Sequence, residues 1–354
     1  MQFSTLKQLP YPPAGKTGWP WTEATEPLPK KMPDGKPWPK ISIVTPSFNQ
    51  DKFIEETIRS VLLQGYPNLE YIIIDGGSTD NSVEIIKKYS PWLTYWASEL
   101  DRGQSHAINK GLLHCTGDIF NWINSDDSLY PGALRAIATA WTKNPGTIIT
   151  GPVINFNQDG IKNVLIPNAL SLQNFLNIRK ARSNSWVWHQ PGTYLPLAQV
   201  NKIGGIREDL HFSMDHILMI ELLQICKVVY LSETLAKFRL HKNSKTIAIG
   251  IPRFTLERVE ALRASKKTYK HVTSDELKED NVSLLITCGA LAIRNRQYAL
   301  ASKYLIKSIL ISSLLVIREL QRRNFFNRLI RKLGQVFLNT FKVQYFKRNK
   351  TKYY

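Results

Sequence analysis

The strongest constraint on the fold is an alternation that runs from Ile41 to Asn144. Four short apolar runs, ISIVTP (41–46), LEYIIID (69–75), LTYWAS (93–98) and DIFNWIN (118–124), are each followed by a stretch with helical character: 51–64, 82–90, 106–114 and 132–144. In the first of these, Phe53, Ile54, Ile58, Val61 and Leu62 fall at helical spacing, and Gly65 and Pro67 stop the helix. Strand–helix units repeated in this way predict an α/β fold: a mostly parallel, Rossmann-like sheet with helices on both faces. In such sheets ligands bind beyond the carboxyl ends of the strands, so the loops after those ends carry the functional expectation.

Beyond Thr150 the alternation weakens. Residues 146–156 read as one further strand, 183–194 as a Trp-rich loop, the segment around Ile217–Ile225 as an apolar helix and 227–232 as a strand; from about Thr255 the pattern is helical. Residues 1–40 hold nine of the 19 prolines. Proline fixes φ and lacks an amide proton, which excludes regular helix or sheet interior there. This stretch reads as an extended arm pinned by Trp19, Trp21 and Trp38, with a plain linker as the alternative. The expected organisation is an arm (1–40), an α/β domain (41–250) and a helical, basic C-terminal region (251–354).

Charge separates these regions. Of the formal +19, +14 lies in residues 294–354, where 15 Lys and Arg face a single acid, Glu319. Such a block attracts a polyanion. Ile309, Leu310, Leu314, Ile317 and Leu320 follow helical spacing among Lys303, Lys307, Arg318, Arg322 and Arg323, a pattern suited to an anionic membrane surface or to an ordinary solvated helix. No nucleic-acid motif accompanies the charge, so a nucleic-acid partner is not expected. The opening residues lack a signal-peptide core. The run from Ser308 to Ile317 is too short to span a bilayer, which needs about 20 residues in helix. The expected location is cytoplasmic, with peripheral attachment to the cytoplasmic membrane face as its variant. Cys115, Cys226 and Cys288 form no CxxC pair, which argues against a disulfide framework or a zinc-thiolate site.

The strand ends hold the polar residues. The first ends in Thr45-Pro46-Ser47-Phe48-Asn49-Gln50, the second in Asp75-Gly76-Gly77-Ser78-Thr79-Asp80-Asn81, and the fourth in Asn124-Ser125-Asp126-Asp127. Adjacent acids at the tip of an apolar strand bind a cation or cap the next helix; for a cation, hard oxygen ligands suit Mg²⁺ or Mn²⁺.

In order, TPSFNQ, IDGGSTDNS, SELDRGQSHAINKG and GDIFNWINSDD, followed by Ser213-Met214-Asp215-His216 and Arg239-Leu240-His241, closely resemble the family 2 inverting glycosyltransferases of GT-A fold, especially bacterial enzymes that build surface polysaccharide. The likeness runs from Ile41 to about Ser244. Any one of these motifs is weak, whereas the ordered set is specific. The resemblance implies that Thr45, Pro46 and Asn49 line a nucleotide pocket, and that Asp75 lies beside base and ribose. It makes Arg102 and Gln104 candidates for sugar or phosphate contact. Asp126 would hold a divalent cation, Mg²⁺ or Mn²⁺, with His241 as a second ligand or phosphate contact, and Asp127 would support Asp126 or touch the donor sugar. Asp215 matches the general base. Two positions depart from the family pattern: Asn124 stands where the first acid of Asp-x-Asp is usual, and Gly76 follows Asp75 where a second acid is common.

The implied activity is inverting transfer of a hexose from a nucleotide-diphosphate sugar to a carbohydrate acceptor, lipid-linked by the same likeness. Residue by residue the alternatives stay open. Asp215 reads as a base or as a helix cap, and His241 as a ligand or as a solvated loop residue. Trp186, Trp188, His189 and Gln190 read as an acceptor platform or as core. For the whole chain, Asn124 keeps a non-catalytic GT-A-like carbohydrate- or membrane-binding protein as the rival. Nucleotidyl transfer is disfavoured because TPSFNQ has neither the glycines nor the basic residue of a phosphate loop.

Overall fold

The computed structural model describes residues 5–176, 187–242, 244, 257, 261, 278–279, 282–283, 285–286, 289–290, 293 and 298–322. Trp186 and residues 323–354 lie outside them. The chain divides into two compact units, Met1–Ala264 and Ser265–Tyr354.

The first unit is built on a seven-stranded sheet containing β1 (Ile41–Ser47), β2 (Leu69–Asp75), β3 (Tyr95–Ser98), β4 (Ile119–Trp122), β6 (Ile148–Thr150), β9 (Thr193–Pro196) and β10 (Val228–Tyr230), in the order β10-β6-β9-β4-β1-β2-β3. Every pairing is parallel except those of β9, which runs antiparallel to both β4 and β6. A second sheet joins β5 (Ser128–Leu129), β11 (Ala236–Arg239), β7 (Val153–Asn157) and β8 (Gly160–Leu165) in the order β5-β11-β7-β8. The helices of this unit are α1 (Ile54–Leu62), α2 (Ser82–Tyr89), α3 (Gln104–Leu112), α4 (Ala133–Lys143), α5 (Leu172–Leu176), α6 (Leu197–Lys202) and α7 (Met214–Leu222). All seven residues of β1 are buried, as its unbroken apolar run requires of a central parallel strand covered on both faces.

Register decides where the polar ends fall. Ser47 pairs with Asp75 and Asp75 with Ser98, so β1, β2 and β3 finish level. On the other side of β1, Val44 pairs with Trp122, and the Ile123 amide donates to the Val44 carbonyl at 2.9 Å. Residues 124–127 therefore leave the sheet beside the end of β1.

Two expectations change. Residues 146–156 are two strands in different sheets, because Gly151-Pro152 breaks the run. Pro152 has no amide to continue a ladder, and a Cβ on Gly151 would stand 2.8 Å from Leu235 side-chain carbons. The helix placed near Ile217–Ile225 begins earlier, at Met214, which puts Asp215 in its first turn.

Helix α1 buries far more than its apolar stripe: Thr57, Arg59 and Ser60 are also inaccessible. The Pro-rich arm supplies the cover. Fully buried Arg59 donates to the carbonyls of Pro20 (3.0 Å), Pro10 (2.8 Å) and Trp21 (2.8 Å). It also donates to the Tyr89 hydroxyl at 3.1 Å. The guanidinium thus satisfies arm carbonyls that no sheet partner takes, and that pairing is what makes its own burial tolerable. Trp21 and Trp38 are buried, and the Trp19 indole donates to the Leu129 carbonyl at 2.9 Å.

In the second unit, α8 (Tyr298–Ile311) and α9 (Ser313–Arg322) are described. Val282, Ile286 and Val316 form a small core there. Leu310 and Leu314 stand 80% and 72% exposed, with Ile306 and Ile317 also exposed. Among the described residues no single helix is long and apolar enough to cross a membrane; α8 and the following 313–321 pass such a test only together, bent by 117°.

Candidate active site

The loops at the carboxyl ends of β1 and β2 lock to each other. Asp75, wholly buried, accepts from the amides of Gly77 (3.1 Å) and Ser78 (2.8 Å) and from the hydroxyls of Ser78 (2.6 Å) and Ser98 (2.8 Å). Its carboxylate shapes the Gly76-Gly77 turn and ties β2 to β3. At Gly76 a Cβ would meet an Asp101 carboxylate oxygen at 2.5 Å, so a larger residue there would displace the Asp101 side chain. Asn49, held at φ 52°, donates its backbone amide to the Ser78 hydroxyl at 2.8 Å and accepts the Thr79 amide on its side-chain oxygen at 2.9 Å. Thr45 and Pro46 are buried within β1, and the Thr45 hydroxyl meets the Tyr71 hydroxyl at 3.1 Å.

The loop after β4 carries the acids. The Asp126 carboxylate lies 2.8 Å from His241 Nε2, both side chains less than a fifth exposed. Arg239 donates through Nε to the Asp126 carbonyl (2.9 Å) and through its amide to the Asp127 carboxylate (3.0 Å), while its guanidinium pairs with Glu56 at 2.8 Å. Phe53 completes the cluster, its ring centroid 4.8 Å from that of His241 and 4.9 Å from the Arg239 guanidinium carbon. Asp127 is buried, and that burial, with Asp126 beside it, drives its carboxyl well above the usual carboxylate range. Thr57 donates to its carbonyl at 2.6 Å, so α1 braces this loop from below.

Asn124, the departure from Asp-x-Asp, acts as a bridge. It accepts from Gln104 at 2.6 Å and donates to Asp127 at 3.2 Å. Arg102 pairs with Glu208 at 2.5 Å. Ser105, next to Gln104, donates to the Leu210 carbonyl (3.0 Å) and contacts the Met214 sulfur. Helix α3 therefore touches the acidic loop through Gln104 and the start of α7, which bears Asp215, through Ser105.

Trp188 donates to the Thr193 hydroxyl at 2.9 Å and packs edge-on against Phe175 and His216. His189 packs against Phe238, with centroids 4.4 Å apart, and burial pushes its imidazole down to about 4. Both rings are held by neighbouring aromatic rings, which fixes their orientation.

Among the described residues no three His, Cys, Asp or Glu side chains are grouped to hold a metal. Asp126 and His241 nevertheless form a two-donor set of carboxylate and imidazole. Such a set fits a divalent cation whose remaining positions are filled by substrate oxygens and water, and its nitrogen suits Mn²⁺ better than Mg²⁺. Sequence reasoning passed over Glu56 and Glu257. Each is a lone acid with no motif around it, and on a helical pattern a lone acid reads as solvated surface.

A Glycosyl transferase family 2 model matches residues 42–198. An uncharacterized glycosyltransferase of Mycobacterium tuberculosis is 30% identical over 204 residues, spanning 56% of this chain and 75% of that protein. Glycosyltransferase GlyA of Streptococcus pneumoniae is 24% identical over 222 residues, 58% of this chain and 31% of its own length. Among solved structures, S. aureus TarS 1–349 in complex with UDP superposes with a TM-score of 0.49 at 15% identity, covering 75% of this chain and 90% of that one. With a mixed α/β fold whose large sheet is mostly parallel and flanked by helices, and with this relationship to known glycosyltransferases, the chain belongs to glycosyltransferase family 2.

Proposed function

We propose that this glycosyltransferase moves a hexosyl group from a nucleoside diphosphate sugar to a carbohydrate hydroxyl by a single displacement that inverts the anomeric carbon. The observation that carries the reading is the joining of three groups around α3: the Asp126–His241 pair, the Gln104–Asn124 bridge, and the helix start bearing Asp215. In this reading the loops after β1 and β2 receive the nucleotide, with Asn49 and Asp75 fixing their shape and Thr45 and Pro46 forming the floor. Arg102 exchanges Glu208 for the donor's phosphates, and Gln104 orients the sugar. Trp188 and His189 wall the acceptor side.

The acceptor hydroxyl gives its proton to Asp215 while its oxygen bonds to the anomeric carbon; the bond from that carbon to the diphosphate breaks, and its electron pair leaves on the phosphate oxygen. A positioned carboxylate base contributes about 10²–10⁴-fold. A divalent cation held by Asp126 and His241 would act as a Lewis acid on the departing diphosphate. Arg239 and Asn124 keep the Asp126–Asp127 loop in place. Asn124 is occupied in bridging Gln104 and Asp127, a supporting task that makes it compatible with an active enzyme.

A lipid-linked acceptor is the favoured class, supported by the exposed apolar residues Leu310, Leu314 and Ile317 within a strongly basic segment. That reading adds peripheral attachment to an anionic, cytoplasmic membrane face.

The test is a thermal-shift panel of UDP, GDP and dTDP, each with and without Mn²⁺, joined to a turnover assay of Asp215→Asn. A rise that needs Mn²⁺ for one base, and loss of turnover in the variant with the rise retained, is the expected result. No rise with any nucleotide refutes the donor reading, and full turnover in the variant removes Asp215 from the mechanism.

A further inference from the structure

Three successive backbone amides, those of His211, Phe212 and Ser213, converge on the carboxylate of Glu257 at 2.6, 2.7 and 2.7 Å. The Ser213 hydroxyl adds a fourth bond at 3.0 Å. Ser213 is the residue before α7, and it makes no side-chain cap to its own helix. Its hydroxyl and amide are instead committed to an acid 44 residues further along the chain. A second hold comes from α3, where the Ser105 hydroxyl meets the Leu210 carbonyl and the Met214 sulfur. The approach to α7 is thus held by two separate residues, and Asp215 is the second residue of the helix so fixed.

We propose that Glu257 is a positioning residue for the transfer reaction: it clamps the 211–213 backbone so that the Asp215 carboxylate meets the acceptor hydroxyl. This rests on the reading of Asp215 as the base. The physical need is plain. The segment leading to α7 is tied to Asn109 at Ile206 and Glu208, but 211–213 lies past that anchorage and directly before the helix, so it needs a hold of its own. A carboxylate accepting several amides at once is a strong, directional tether. Misplacing a reacting group by about 1 Å costs on the order of 10²-fold in rate. Glu257 lies outside the stretch matched by the family model, residues 42–198, so this tether is a contribution of the chain beyond it.

The test uses the full chain with UDP-glucose, UDP-N-acetylglucosamine and GDP-mannose in the presence of Mn²⁺. Release of nucleoside diphosphate to water measures turnover, and amide hydrogen exchange is followed over residues 211–217. For Glu257→Ala, kcat is expected to fall on the order of 10²-fold with the donor KM held within about twofold, the signature of an interaction used in the transition state. Exchange at 211–217 is expected to accelerate while the seven-stranded sheet stays protected. Glu257→Gln, which keeps an accepting oxygen at the same reach, is expected to restore most of kcat. Unchanged exchange at 211–217 in the alanine variant overturns the clamp whatever the kinetics. Accelerated exchange with unchanged kcat, or a glutamine variant as slow as the alanine one, overturns its role in positioning. Asp215→Asn, measured alongside, separates the two ideas: full turnover in that variant defeats the base reading and leaves the exchange result to judge the clamp alone.

Discussion

Replacing Arg239 by methionine keeps the bulk of the side chain between Phe53 and Phe156 and deletes its charge. Arg239 and Glu56 are each 15% exposed and pair at 2.8 Å, so the variant leaves a carboxylate in a largely dry place without its direct partner, Lys237 being the neighbouring cation that remains. Breaking a buried pair from one side costs about 3–5 kcal/mol, most of it the stranded charge. The Nε bond to the Asp126 carbonyl, at 2.9 Å, is lost as well. Taking the lower figure for a site not wholly sealed from water, the loss is about 3 kcal/mol, which lowers the melting temperature by roughly 6–12 °C for a unit of this size. The decisive comparison is the double variant Glu56→Gln with Arg239→Met, followed by thermal unfolding monitored by circular dichroism. Because the neutral amide no longer needs a counter-ion, the double variant is expected to be more stable than Arg239→Met alone, with a coupling of about 1.5 kcal/mol or more. Strict additivity, with the double variant losing the sum of the two single losses, refutes the account of α1 and β11 as joined by a buried ion pair.

His189 has its imidazole depressed to about 4 by burial, against a model-peptide value near 6.5. The unfolded chain takes up the proton first as pH falls, so the stability tied to the neutral ring is present above about 6.5 and is lost between 6.5 and 4, up to about 3 kcal/mol in all. Thermal melts from pH 7 to 4 should show that loss, and His189→Phe should flatten it; parallel curves would contradict the burial. On the second unit, Leu310→Glu with Leu314→Glu changes two exposed positions and is expected to leave the melting temperature unchanged while lowering co-sedimentation with phosphatidylglycerol vesicles about tenfold or more. Equal partitioning of the wild type and the variant would refute the membrane-surface reading.

How far the sequence could be read depends on what each element buries. Strand β2 is found at Leu69–Asp75, the residues its apolar run predicts, because a strand covered on both faces has no polar position to blur its limits. The helix expected at 106–114 starts two residues earlier, at Gln104, since Gly103 at φ 117° ends the preceding loop and no capping side chain announces the turn. The 146–156 run misled because β-branched residues on both sides of Gly151-Pro152 favour extended backbone, while membership of one sheet or the other is a tertiary matter. In the site, the loops at Asp75 and Asn124–Asp127 were legible from the rule that strand ends carry ligands. The pairing of His241 with Asp126 was legible only through the family resemblance, because spacing alone does not show β11 crossing from a distant part of the chain to lie beside β5. Arg59 shows the deeper limit. On the helical pattern it belongs to a polar face, and only the arm folded over that face makes it the most deeply buried charge of α1.

The indole bond from Trp19 to the Leu129 carbonyl joins positions 110 residues apart. During synthesis the arm therefore has no completed seat until the loop after β4 and strand β5 have left the ribosome. At about 5–20 residues per second that interval is roughly 5–20 s. Arg59 and Tyr66, which engage the carbonyls of Pro20 and Trp21 and the ring of Trp38, emerge well before then, whereas the Trp19 indole stays open to chaperones and proteases until the acidic loop and β5 arrive to receive it.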